Sequence, residues 1–297
     1  MMTNFKKIMM ASAALMCAGA ISGAAEAAPI TDWNFETQDS WANALTAGGA
    51  PIAQTSVGNY WQLAWGNTNN ANPKSKLQVE KTAGSFTMDS LGKISLGNGT
   101  CTGADAANCK AGATIIHENR VITDAPSNWL DKTDLVVNLN VKANAGAPNP
   151  APTFPRNITF NIDFLETPNV GPNQSCPSYM PTNLGKCPDY FILLNLEDLR
   201  QSFFYGGYIY TVFLVPDILG SGSTNLTGGD PQPLTFEVAD FDSDGRDEMR
   251  IWTREPGIST LRTLVGITAR IPEPATIGLL GAGLIGLGLA RRRRKTA

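Results

Sequence analysis

The chain has 297 residues, with 23 basic and 26 acidic side chains and a net charge of −3. Without a basic surplus it is not built to hold nucleic acid, whose phosphates need Lys and Arg. Apolar residues make up 42% and charged residues 16%, which excludes a disordered chain, because that much apolar surface offsets the entropy of ordering.

Lys6 and Lys7 precede an apolar stretch over 8–21, and small residues lead to Ala25-Glu26-Ala27. This is the order of a secretory signal peptide with an A-x-A cleavage site, so residues 1–27 are expected to be removed after export through the Sec translocon. Cys17 falls inside the leader, behind Met16 where a lipidation site wants a small residue.

Residues 28–270 read as one domain of short strands. Trp33-Asn34-Phe35-Glu36 alternates and is followed by Trp41; Tyr60 to Trp65, 76–79 and 85–88 are strand candidates. A loop-like stretch over 97–112 leads into a β-branched run over 113–122. Segments 135–141 and 158–164 alternate with period two, the spacing that puts successive side chains on opposite faces of a sheet. A Pro/Ala/Asn-rich connection covers 143–155 and a long loop covers 167–188. Further strands are predicted over 190–196, 205–215, 234–238, 248–253 and 264–269, with a turn near 196–202. Many short strands with Gly, Pro and Asn turns, and no convincing amphipathic helix, predict an all-β fold: an antiparallel β-sandwich of jelly-roll type.

Behind the leader four cysteines remain, Cys101, Cys109, Cys176 and Cys187. In an exported protein they are expected as two disulfides, and proximity favours Cys101–Cys109 and Cys176–Cys187. Neither pair has the spacing of a zinc site.

His117 is the single histidine. On a strand, His117 and Asn119 share a face and Glu118 points away. Three readings stand: a structural histidine satisfied by hydrogen bonds, a ligand or metal contact, or a catalytic base. A Ser-His-Asp hydrolase would need this one histidine, and no G-x-S-x-G elbow is present.

Asp240, Asp242 and Asp244 stand two apart and Gly245 follows. The Arg246 carbonyl then falls at the seventh position of a calcium loop and Glu248 at the ninth. Position twelve is Ile251 rather than Glu and the flanks read as strands, so this is no EF-hand. It reads either as a calcium-binding hairpin loop or as a turn in which Asp and Gly serve backbone needs.

The chain closes with Pro272-Glu273-Pro274, an apolar run over 275–290, and Arg291, Arg292, Arg293, Arg294 and Lys295. The prolines keep that stretch extended. The run is at the short edge of what spans a bilayer, and the arginines stay on the cytoplasmic side. Residues 271–297 are therefore read as a single transmembrane sorting helix with its cleavage motif, or else as a permanent anchor. Without leader and tail the body carries about eight excess negative charges, which suits a soluble exported domain.

The tail resembles the PEP-CTERM sorting signal, the substrate of exosortase in Gram-negative bacteria. The stretch Ala113-Thr114-Ile115-Ile116-His117-Glu118-Asn119 resembles the signature of the THxN family of PEP-CTERM proteins, with Ile116 in place of its Thr. Residues 160–169 and 187–191 resemble that family's body as well. The resemblance implies an exported, envelope-associated protein processed by an exosortase-type membrane enzyme, and carries over no catalytic residue. The expected role is a non-enzymatic surface or biofilm-matrix protein, held transiently in the inner membrane and working among extracellular polysaccharide. The alternative is a lectin-like carbohydrate-binding module, calcium-stabilised, with Tyr60, Trp61, Trp65, Phe203, Phe204, Tyr205, Tyr208 and Tyr210 as candidate stacking platforms. A glycoside hydrolase with Asp163 and Glu166 is the third reading.

Overall fold

The computed structural model describes residues 28–67, 74–81, 92–98, 101, 107–144, 153–167, 176, 178, 180–181, 187–224 and 232–272. The signal peptide, the strand candidate at 85–88 and the tail from Glu273 onward lie outside them. Two units are distinguished. The body comprises Ile30–Phe203 and Ile209–Arg270; the smaller unit takes in both chain ends and Phe204–Tyr208.

The described residues form an all-β structure of two seven-stranded sheets whose strands pair antiparallel. In the first sheet the order is β12 (Thr235–Ala239), β13 (Glu248–Thr253), β9 (Asp189–Leu193), β8 (Thr153–Leu165), β7 (Leu130–Ala143), β1 (Asp32–Thr46) and β5 (Gly92–Ser95). In the second it is β10 (Arg200–Tyr205), β11 (Tyr208–Thr224), β14 (Gly257–Arg270), β6 (Lys110–Asn119), β4 (Ser75–Glu80), β3 (Tyr60–Trp65) and β2 (Thr55–Val57).

The alternation read from the sequence sets which face turns inward. Along β7, Leu135, Val137, Leu139 and Val141 are buried; along β8, Ile158, Phe160, Ile162 and Phe164 are buried. They meet Leu63, Leu77, Val79, Ile115, Val265 and Ile267 of the other sheet, all buried. Each such side chain withdrawn from water contributes about 1.5–3 kcal/mol. The core has an aromatic knot at each end. At one, Trp33 of β1 stands edge-on to Tyr210 of β11, with ring centroids 4.8 Å apart. At the other, Trp65 and His117 of the second sheet meet Phe164 and Phe191 of the first.

The structure departs from the sequence reading in places where tertiary pairing outweighs local pattern. The turn predicted over 196–202 is a 3-10 turn only at Leu196–Asp198, and β10 follows it. The strand predicted over 205–215 contains a hairpin: Gly206 and Gly207 adopt φ of 59° and 89°, the left-handed pair that reverses two adjacent strands. The short strands β2, β5 and β10 carry no clear period-two signal.

Both predicted disulfides are present, with Cα–Cα distances of 5.6 Å for Cys101–Cys109 and 5.1 Å for Cys176–Cys187. They do more than close local loops. Cys101 and Cys109 pack on Phe213, and Cys187 packs with Met180 on Trp252, so each covers the outward side of a sheet. Gly266 makes room for the first of these contacts. A Cβ there would lie 2.3 Å from Phe213 Cζ and 3.0 Å from Cys109 Sγ. Gly266→Ala is therefore expected to lower stability by about 1–3 kcal/mol, read as an earlier urea midpoint at unchanged slope; an unaltered midpoint would contradict this packing.

Candidate functional site

At the Trp65 end of the sandwich the inward-facing residues turn from apolar to polar. His117 and Asn119 lie at the end of the alternation of β6, and both are buried. Glu118 points outward, as the period requires, and pairs with Lys76 at 3.2 Å and with Arg120. Glu166 and Thr167 follow β8, Asp189 opens β9, Thr253 ends β13 and Glu255 sits in the next turn; all five are buried. The described parts of the three family-like stretches, 113–119, 160–167 and 187–191, thus meet at one buried pole.

The hydrogen bonds determine the histidine's tautomer. Thr253 Oγ1 donates to the Asp189 carbonyl oxygen at 3.2 Å. Its single hydrogen is used there, so at 3.1 Å it accepts from His117 Nδ1. His117 is then the Nδ1–H tautomer, stacked on Trp65 with centroids 5.7 Å apart. Trp65 Nε1 donates to Glu166 Oε2 at 2.9 Å. Asp189 Oδ1 accepts from the Thr167 backbone N–H at 2.7 Å and from its hydroxyl at 3.1 Å. The second oxygen of each carboxylate, Glu166 Oε1 and Asp189 Oδ2, has no hydrogen-bond partner among the described residues. The Asn119 carboxamide faces Asp189, but neither of its polar atoms makes a hydrogen bond of good geometry among the described residues.

Burial governs the protonation of this pole. It lowers the His117 pKa to about 3 and raises that of Asp189 to about 7, against the hydrogen bonds from Thr167 and the nearby Asn119 carboxamide dipole. Glu166 is raised well above its ordinary value, by burial first, then by the Asp189 and Glu255 charges, with Trp65 opposing. Asp39, elsewhere in the core, is raised to about 7 by burial and by Glu80.

The acidic turn lies on the surface, between β12 and β13. Ala239 pairs with Glu248, so 240–247 form the hairpin loop. Ser243 and Gly245 take positive φ, 63° and 89°. Three of its aspartates turn one oxygen onto the loop's own backbone: Asp242 Oδ1 accepts from Asp244 N at 3.0 Å, Asp240 Oδ2 from Gly245 N at 3.0 Å and Asp244 Oδ1 from Arg246 N at 2.8 Å. Glu248, buried, accepts from Phe241 N at 2.5 Å. One carboxylate oxygen from each of Asp240, Asp242, Asp244 and Glu248 lies within 4.8 Å of the others. The basic neighbour Arg250 is turned elsewhere, over the Phe241 ring at 4.0 Å and onto Glu237 at 3.2 Å.

Other sequence candidates separate. Trp65, Phe203, Tyr208 and Tyr210 are buried rather than offered as stacking platforms, and Trp61 is only part-buried under Lys81 Nζ, 4.4 Å from its ring centroid. Asp163 and Glu166 do not form a pair: Asp163 faces outward on β8 while Glu166 is buried. Of the sorting residues only Pro272 is among those described; Glu273, Pro274 and Arg291 to Arg294 are not. That Asp189 faces Asn119 is not legible in the sequence. Its one signal is its place beside Cys187 at the close of a long loop.

The pole makes stability depend on pH with a definite sign. A carboxyl held above its unfolded value of 3.8 keeps its proton in the fold, so its stabilising effect is full below that value and is lost as pH rises through about 7. His117 acts oppositely, but only below its ordinary 6.5. In chelator the melting temperature is expected to fall from pH 6.5, above which His117 no longer opposes, to pH 7.5, by about 0.7 kcal/mol of stability for each such carboxyl. A flat or rising midpoint would contradict the assignment.

No curated protein and no solved structure matches the chain. Residues 270–295 match the PEP-CTERM protein-sorting motif. The chain therefore carries the mark of exosortase-dependent sorting of an exported protein, and its partner in that step is a membrane-embedded sorting enzyme.

Proposed function

We propose that this chain is a non-enzymatic structural protein of the cell surface or extracellular matrix, of the THxN kind. It is released from its membrane tail at Pro272-Glu273-Pro274, and its acidic turn holds calcium. The match over 270–295 carries this reading. It is supported by the closure of the chemistry: the one histidine and the neighbouring carboxylates are shut between the sheets. The turn suits a hard cation, because four carboxylates converge without a guanidinium among them. Asp240, Asp242, Asp244 and Glu248 would hold the ion, with the Arg246 carbonyl at the position a calcium loop reserves for one. The ion would neutralise the turn and fix the hairpin. Intact-mass analysis of the exported protein should give a species ending near Pro274; retention of Arg291 to Lys295 would reject processing. Millimolar calcium should stabilise the domain by about 1–2 kcal/mol through the turn, for a dissociation constant of about 10⁻⁴–10⁻³ M. Asp242→Asn with Asp244→Asn should remove that share, and an undiminished response in this double variant would reject the turn as a site.

A cleft favours a second reading, saccharide binding. It encloses about 300 Å³ on the outer face of the first sheet and is lined by Asp131, Lys132, Asp163, Leu165, Tyr190 and Ile192. The Asp163 carboxyl is pushed up by partial burial and by Asp131, against Lys132, and Asp242 adds to this from the acidic turn. Carboxylates and an aromatic ring in one concavity match sugar hydroxyls and sugar faces. Exopolysaccharide pull-down should then lose most of its yield with Asp163→Ala and with Tyr190→Ala; retention unchanged in both would reject the cleft.

A further inference from the structure

The buried pole holds more unmet oxygen chemistry than any other part of the described molecule. Glu166 is 3% exposed, Asp189 and Asn119 0%. Glu166 Oε1, Asp189 Oδ2 and both atoms of the Asn119 carboxamide lack hydrogen-bond partners among the described residues. Among the described residues the charges that act on Glu166 are those of Asp189 and Glu255, both acidic, and no lysine or arginine is seen to pair with Glu166 or Asp189. Two neighbouring carboxylates buried without a basic partner are too costly to leave ionised. Either protons or a cation must balance them. Each carboxylate has one oxygen already held, by Trp65 Nε1 or by Thr167, which leaves the other oriented and free. Asn119, Glu166 and Asp189 offer hard oxygens, the donors calcium takes; beside them the Asn119 amide nitrogen and His117 Nε2, an imidazole nitrogen that calcium does not use, also lack hydrogen-bond partners among the described residues.

We propose that this pole is an interior calcium site, separate from the acidic turn, with Asn119 Oδ1, Glu166 Oε1 and Asp189 Oδ2 as its side-chain ligands. The ion would join the end of β6, the end of β8 and the start of β9, and so close this end of the sandwich. Because the ligands are fully covered, the ion is taken up as the chain folds and leaves only when the pole opens. Chelator then strips the turn quickly and the pole slowly.

The experiment uses the full exported chain carrying Asp242→Asn and Asp244→Asn, so that the turn contributes nothing. It is refolded in millimolar calcium or in chelator, gel-filtered and analysed for bound metal. About one calcium per chain is expected, with a higher melting temperature than the chelator-refolded sample. Adding Glu166→Gln or Asp189→Asn should abolish both, while the amide, which imitates the protonated acid, keeps the chain folded without the ion. As a readout independent of stability, terbium should show tryptophan-sensitised emission that Trp65→Phe removes. Absence of bound calcium with equal midpoints would overturn the site, as would calcium retained by the Glu166→Gln and Asp189→Asn chains. Loss of calcium from the turn variant alone would leave the acidic turn as the chain's calcium site and reject the pole, so the two readings fail separately.

Discussion

The structure depends on how two sheets close over ionisable side chains at one end. Most of the interior is apolar and held by area: Leu135, Val137, Ile158, Phe160 and their partners need nothing but exclusion from water. At the Trp65 end the same inward positions carry His117, Asn119, Glu166 and Asp189. There the sandwich holds only if donors, protons or a cation meet the polar atoms. The chain Trp65 to Glu166, and His117 to Thr253 to the Asp189 carbonyl, ties both sheets through hydrogen bonds where apolar packing runs out. Buried polar groups of this kind cost stability when left unmet and specify one arrangement when satisfied.

The two halves of the chain's chemistry are thus separated. The tail carries an address and is read by a membrane enzyme. The body presents an acidic turn and a shallow cleft outside, and keeps its histidine and neighbouring carboxylates inside. Both disulfides lie on the outward sides of the sheets, over Phe213 and Trp252. An exported β-sandwich with few charges is protected on its faces by these covalent clips and at its end by the polar pole.

Much of this is legible in the sequence, for physical reasons. Period-two alternation locates β7 and β8 because each has one face in the core, and it places His117 and Asn119 inward with Glu118 outward. Loop proximity identifies both disulfides. The tail is legible because membrane insertion and charge retention leave an unambiguous order of residues. The pole is not, since Glu166 and Asp189 are 23 positions apart across a long loop and only tertiary closure brings them to Asn119. Trp65 resembles a sugar platform in the sequence because an aromatic on a short strand has the same local pattern on either face. The Gly206-Gly207 hairpin is masked because β-branched and aromatic residues continue on both sides of it.

That Glu166 and Asp189 are held inside without a basic counter-charge among the described residues is tested most directly by difference infrared spectroscopy of the folded protein, in chelator near neutral pH. A protonated-carboxyl band should be present, should shrink with Glu166→Gln and with Asp189→Asn, and should convert to carboxylate when calcium is added. A spectrum with ionised carboxylates only, unchanged by either substitution, would contradict it.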